Sequence, residues 1–148
     1  MNFTYFKGIS LYGIAWLALG SRLLLKGIYI FDEIHLKQEV LDSNLYYYLV
    51  GALVLGLVKG KFILKKSADR IIRHIVQFEE PLKWKQIFPK SFYFFMTIMM
   101  CFGIAIKFLP IDLVVKGSID IFVGSALITG ALYFFKKAWM IKMSLDDL

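Results

Sequence analysis

One cysteine and two histidines in 148 residues leave little from which to build redox or metal chemistry. Cys101 lies alone inside an apolar run, with no intrachain disulfide partner and no CxxC spacing. His35 stands near Asp32 and Glu33, and His74 near Glu79 and Glu80. A structural zinc site takes four ligands, usually with Cys or a second His, so both groupings read as solvated surface. No nucleophile accompanies His74, and no acid–base couple is assembled there. Phosphate-binding glycine loops, HExxH, GxSxG and the Rossmann fingerprint are all missing. Acidic residues are few, 11 against 18 Lys plus Arg, and none interrupts the long charge-free runs. A proton-coupled exporter of the small multidrug type needs a titratable carboxylate within the membrane, which argues against that mechanism. The expectation is a chain with no catalytic residues, no metal and no cofactor.

What the chain has in abundance is apolar surface. Apolar residues make up 59% of it and aromatics 17%, with mean hydropathy +0.65. An ordinary soluble domain is roughly 45–50% apolar, so this sequence lacks the polar surface to cover a water-facing body. The net charge of +7 would suggest nucleic acid in a soluble protein, but here the cations flank apolar runs. That is how orientation signals and anionic-lipid contacts are distributed in membrane proteins, and no nucleic-acid partner is expected. Lys7 followed by Ile9 to Leu19, ending in Ala18, Leu19 and Gly20, has the outline of a signal peptide. We read it as a first membrane span.

Charge-free stretches run from Gly8 to Ser21, Ser43 to Val58, Ser91 to Ile106 and Ile121 to Phe135, or 14, 16, 16 and 15 residues. Each is shorter than the ~20 residues a helix needs to cross ~30 Å of hydrocarbon. Arg22, Lys59, Lys107 and Lys136 border them, and their long stems lie in the apolar zone while the charged heads reach the interface. The runs lack the alternation of barrel strands and the polar face of soluble helices. This predicts an all-α protein, an integral membrane four-helix bundle in a single domain over 1–148, with spans about 8–30, 44–64, 91–109 and 119–138.

Residues 59 to 90 carry nine Lys and Arg against Asp69, Glu79 and Glu80, whereas the 28–44 and 108–120 connections hold one Lys each among more acidic residues. The positive-inside rule then places the 59–90 connection and both termini in the cytoplasm. Within it, Leu64, Ala68, Ile71, Ile72 and Ile75 share one face, with Lys65, Lys66, Asp69, Arg70, Arg73 and His74 on the other. Nothing between Val58 and Gln77 breaks a helix except Gly60, so the second helix is expected to run from about Leu45 to about Phe78, its basic amphipathic part covering about 61–78. Lys65, Lys66, Arg70 and Arg73 are candidate contacts for anionic lipid. Trp84 and Phe88 read as an interface-level segment before the third span.

Two further groups stand out. Gly51, Gly56 and Gly60 on the second span, and Gly124 and Gly130 with Ser125, Ala126 and Thr129 on the fourth, form small-residue tracts. Such tracts let helices approach closely in lipid; we read them as packing within one subunit, with a homo-oligomer interface or pore wall as the alternative. Arg22 lies about 21 Å along a span that starts near Gly8, with Lys26 one turn on and Lys107 at the corresponding end of the third span. An intramembrane cation is a functional candidate by default, so the three form a candidate anion or headgroup contact. The simpler reading is snorkelling to the outer interface, with Asp32, Glu33, Asp112 or Asp120 as partners.

Lys59 to Arg70, then Trp84 to Phe88 and Lys116 to Asp120, resemble a family of small bacterial membrane proteins. Its members carry K-G-[KR]-F-[VI]-L-x-K-[ST]-A-x-R after the second span. The resemblance covers most of residues 45–130 and implies four spans in a bacterial inner membrane, with no activity attached. The expected function is therefore that of a non-enzymatic scaffold, accessory or lipid-binding protein, possible partners being anionic lipid, a second copy or a membrane complex. The alternative is an oligomeric transporter or channel for a small anion or solute.

Overall fold

Long apolar stretches without internal proline form long helices, and helices account for nearly all of the chain. The computed structural model describes residues 4–37, 43–79, 82–88 and 90–146. In chain order these form α1 (Tyr5–Lys37), α2 (Ser43–Lys59), a π-helical turn (Gly60–Leu64), α3 (Lys65–Val76), the single turn α4 (Trp84–Ile87), α5 (Lys90–Phe108) and α6 (Leu113–Asp146). No strand occurs among the described residues. Three helical stretches, Tyr5–Lys37, Tyr46–Val76 and Leu113–Ser144, are long and apolar enough to cross a membrane; α5 is a shorter apolar helix. At 1.5 Å per residue the three long ones measure roughly 46 to 50 Å.

Several expected bounds change. Asp32, Glu33 and His35 belong to α1 rather than to a loop, because the helix continues to Lys37 and is reinforced by a Lys37 to Glu33 ion pair of 2.6 Å one turn apart. The second helix is continuous from Ser43 to Val76, but it widens to a π turn at Gly60–Leu64 that the sequence reading did not include. The basic helix proper is α3, which ends two residues short of the expected Phe78.

α6 is the centre of the assembly. It packs antiparallel to α1 and parallel to α2. Antiparallel register with α1 follows from the close approaches of Gly27 to Gly117, Gly20 to Gly124 and Gly13 to Phe135. These allow close backbone approach: a methyl group on Gly20 would lie 2.9 Å from the Gly124 carbonyl oxygen, and one on Gly124 2.7 Å from the Leu24 nitrogen. α2 lies on a different side of α6, with Gly56 against Phe122 and Ser125 and Gly60 against Ala126. α5 does not join this packed set along its length; among the described residues its main approach is at its first turn, where Phe92 meets Tyr12 edge-on at 4.9 Å.

The buried core sits at the end of the molecule that holds the start of α1, α3 and the later half of α6. Ile9, Tyr12 and Trp16 of α1 meet Ala68, Ile72 and Ile75 of α3 and Leu127, Ala131, Phe134 and Ala138 of α6. Leu82, Ile87 and Phe88 close it from below. In the segment expected at interface level, Phe88 is buried with its ring tilted by 31° and its centroid 4.8 Å from that of Tyr12, while Trp84 is half-exposed. The Tyr12 hydroxyl donates to the Ile87 carbonyl at 2.8 Å, and the Tyr5 hydroxyl to the Phe78 carbonyl at 2.5 Å, which ties both of these residues to α1. A buried phenol with a partner adds apolar area without an unsatisfied donor.

Candidate functional site

α3 is the most strongly amphipathic helix of the molecule, and its two faces are used differently. The apolar face, Ala68, Ile72 and Ile75, is buried against α1 and α6. It is therefore unavailable for insertion into lipid. Lys65, Lys66, Arg70 and Arg73 are all exposed, and none forms an ion pair among the described residues. The one acidic residue on the helix, Asp69, is turned inward, where the Tyr133 hydroxyl of α6 donates to its Oδ1 at 2.6 Å.

The π turn produces this orientation. Gly56, Gly60, Leu64, Ala68 and Ile72 recur every four residues, so in an unbroken α-helix the stripe would drift by about 40° per step. The wide turn at Gly60–Leu64 takes up the extra residue, and both Gly56 and Ile72 are kept on the side that faces α6. The Cα of Gly60 is pressed onto Ala126, with the site of a methyl group 2.7 Å from its Cα.

Between α3 and α6 lies a cleft of about 560 Å³ lined by Asp69, Ile72, Arg73, Lys137, Met140, Ile141 and Ser144. Lys137 Nζ lies 5.8 Å from the centroid of the Tyr133 ring. The Ser144 hydroxyl donates to the Ile141 carbonyl at 2.9 Å. Lys137 was not among the candidates read from the sequence; the signal was its place one turn after Tyr133 on a helix whose partner was unknown.

The other candidates separate. Lys26 reaches Asp120 of α6 at 2.7 Å, its side chain 59% exposed and that of Asp120 14%. Lys107 is exposed, and its backbone carbonyl accepts a hydrogen bond from Lys116 Nζ at 3.2 Å. Arg22 is exposed on α1 with no ion pair among the described residues. No hydrogen bond or ion pair joins the three among the described residues, and none of them lines the groove of about 1060 Å³ between α2 and the start of α6, whose walls include Tyr47, Tyr48, Leu55, Ile119 and Phe122. The hydroxyls of Ser125 and Thr129 donate within α6, to the carbonyls of Phe122 and Ser125. They satisfy their own helix.

Of the small residues, Gly56, Gly60, Gly124 and Gly130 sit at helix contacts within the chain, Gly130 against Trp16 and Leu64. Gly51 meets nothing within 4 Å. Gly20 and Gly27 of α1 and Gly117 of α6 were missed, because a lone glycine in a largely apolar helix carries no signal of which face it is on. No group of three or more His, Cys, Asp or Glu side chains is placed to hold a metal among the described residues. No family model, curated protein or solved structure matches the chain.

Proposed function

We propose that the chain is a multi-pass, non-enzymatic protein of a bacterial inner membrane, with both termini in the cytoplasm, that holds anionic lipid headgroups on the basic face of α3. In this reading α1, α2 and α6 span the bilayer as one packed unit and α5 is a fourth span beside them. The resemblance of Lys59 to Arg70 to a family of small bacterial membrane proteins supports the compartment, and the Lys and Arg asymmetry supports the orientation. The observation that carries the reading is the state of α3. A helix whose apolar face is buried within the chain presents Lys65, Lys66, Arg70 and Arg73 with no carboxylate partner among the described residues. Four unneutralised cations beside a membrane attract anionic headgroups by about 1 kcal/mol each.

The test is the lipid that co-purifies with the full-length protein in neutral detergent. Phosphatidylglycerol and cardiolipin should be enriched over phosphatidylethanolamine, and changing Lys65, Lys66, Arg70 and Arg73 together to Gln should remove up to about 4 kcal/mol of that preference at low salt. An unchanged lipid profile would refute the proposal and favour a protein partner.

Arg22 keeps a second reading in view, an oligomeric transporter or channel for a small anion, because the residue is exposed and unpaired among the described residues. Flux of chloride or phosphate through liposomes containing the protein, abolished by Arg22→Leu without unfolding, would make that the leading function.

A further inference from the structure

We infer that the cleft between α3 and α6 is a phosphate site, held by Arg73 and Lys137 and built for the phosphodiester of an anionic phospholipid. This rests on the lipid-binding reading and narrows it from a diffuse basic face to one position. Arg73 and Lys137 both line the cleft, and neither has an ion-pair partner among the described residues. The single carboxylate in the lining, Asp69, is engaged by the Tyr133 hydroxyl at 2.6 Å, which holds it at one end of the cleft. Lys137, its ammonium 5.8 Å from the Tyr133 ring centroid, lies along the same end.

Ile72, Ile141 and Met140 form the apolar part of the wall. Charges beside such a wall interact more strongly than in open water. A guanidinium from one helix and an ammonium from the other supply a planar fork and a point charge for one phosphate. Ser144 already donates to the Ile141 carbonyl, so it is not counted as a donor to the ligand. Lys137 comes two residues after Phe135, where the charge-free run of α6 ends. On the membrane reading this is the depth of the inner-leaflet phosphates, and the apolar wall then lies against the lipid's glycerol and first methylenes. A free inorganic phosphate shares the recognition chemistry but makes no use of that wall.

Native mass spectrometry of the full-length protein in neutral detergent, titrated with dioctanoyl-phosphatidylglycerol, tests this. One lipid per chain should bind more tightly than the phosphatidylcholine of the same chain length. Arg73→Gln with Lys137→Gln should weaken it about thirtyfold, near fivefold for each cation. Lys65→Gln, Lys66→Gln and Arg70→Gln together should leave this one-to-one binding within about threefold while lowering the bulk co-purified anionic lipid. The charge-conserving pair Arg73→Lys with Lys137→Arg should retain binding, which separates lost charge from lost folding. Wild-type affinity in the Arg73→Gln, Lys137→Gln protein, or an equal loss in the triple variant, would overturn the cleft and leave the diffuse basic face standing. Loss of binding in the charge-conserving pair, with melting unchanged, would also overturn it. Displacement of the lipid by inorganic phosphate at the same concentration would overturn the lipid assignment in favour of free phosphate.

Discussion

Gly56 is the position where one methyl group meets the least room that a backbone can yield. Its Cβ would lie 2.5 Å from the carbonyl oxygen of Phe122, part of the α6 backbone, whereas Gly51 one and a half turns earlier meets nothing within 4 Å. Gly56→Ala should therefore lower stability by about 1–3 kcal/mol, the usual range for overpacking, and Gly51→Ala should be neutral or gain up to about 1 kcal/mol from helix propensity. Thermal melting in detergent checks the pair, and equal shifts at both positions would contradict the α2–α6 contact. Both glycines belong to the same small-residue tract in the sequence. What distinguishes them is the divergence of α2 from α6 toward the start of α2, which composition does not encode. Lys26 and Asp120 were legible as cation and candidate partner, and their 2.7 Å bond should give a coupling of about 0.2–1 kcal/mol in a double-mutant cycle with Lys26→Met and Asp120→Asn. Additive effects would mean that the pair is not formed. Tyr133 with Asp69 was not legible, since a pairing across 64 positions depends on how α3 lies against α6.

At the level of helices, the spacing of the contact residues already carries the wide turn. The contact ladder Gly56, Gly60, Leu64, Ala68, Ile72, Ile75 advances by 4, 4, 4, 4 and 3. That average exceeds 3.6 and already signals one residue too many for a straight α-helix. The π turn holds the surplus at Gly60–Leu64, with Phe62 and Ile63 exposed. Deleting Ile63 changes the ladder to 4, 3, 4, 4 and 3, an ordinary α-helical stripe, so both flanks keep their faces. The deletion should alter stability by no more than about 1 kcal/mol. Deleting the exposed Leu132 from α6, which has no wide turn to absorb it, rotates Phe134 and Ala138 by about 100° and should lose 3 kcal/mol or more, roughly the cost of removing one large core side chain. Equal damage from the two deletions would show that the π turn does not carry the register. The pairing of α1 with α6 had no comparable signal, because both helices are apolar on more than one face and their contact glycines are scattered.

For the molecule as a whole, the short charge-free runs acquire a physical meaning from the register of α1 on α6. Gly20 lies between Gly124 and Ile128 and Gly124 between Gly20 and Leu24, so the runs 8–21 and 121–135 overlap over most of their length and are offset by only about four residues. Each helix of the pair that forms the core thus presents a charge-free run of only about 21 to 23 Å, bounded by Lys7 and Lys136 on one side and by Arg22, Lys26 and Asp120 on the other. A typical hydrocarbon core is ~30 Å, so on the membrane reading either the bilayer thins around the protein or the bordering cations reach past the mismatch. Both responses become harder as the bilayer thickens. The protein reconstituted in phosphatidylcholines of increasing acyl length, from fourteen to twenty-two carbons, should melt at the highest temperature in the shorter lipids. Arg22 sets the upper edge of the run on α1, and the next charge is Lys26, about 6 Å further along. Arg22→Leu should therefore shift the optimum toward longer chains, whereas Arg22→Lys should leave it near the wild-type length, because a lysine keeps the edge where it was. A melting temperature that rises steadily with chain length in the wild type, or an optimum that ignores Arg22→Leu, would mean that α1 and α6 do not meet the bilayer in the register they hold with each other.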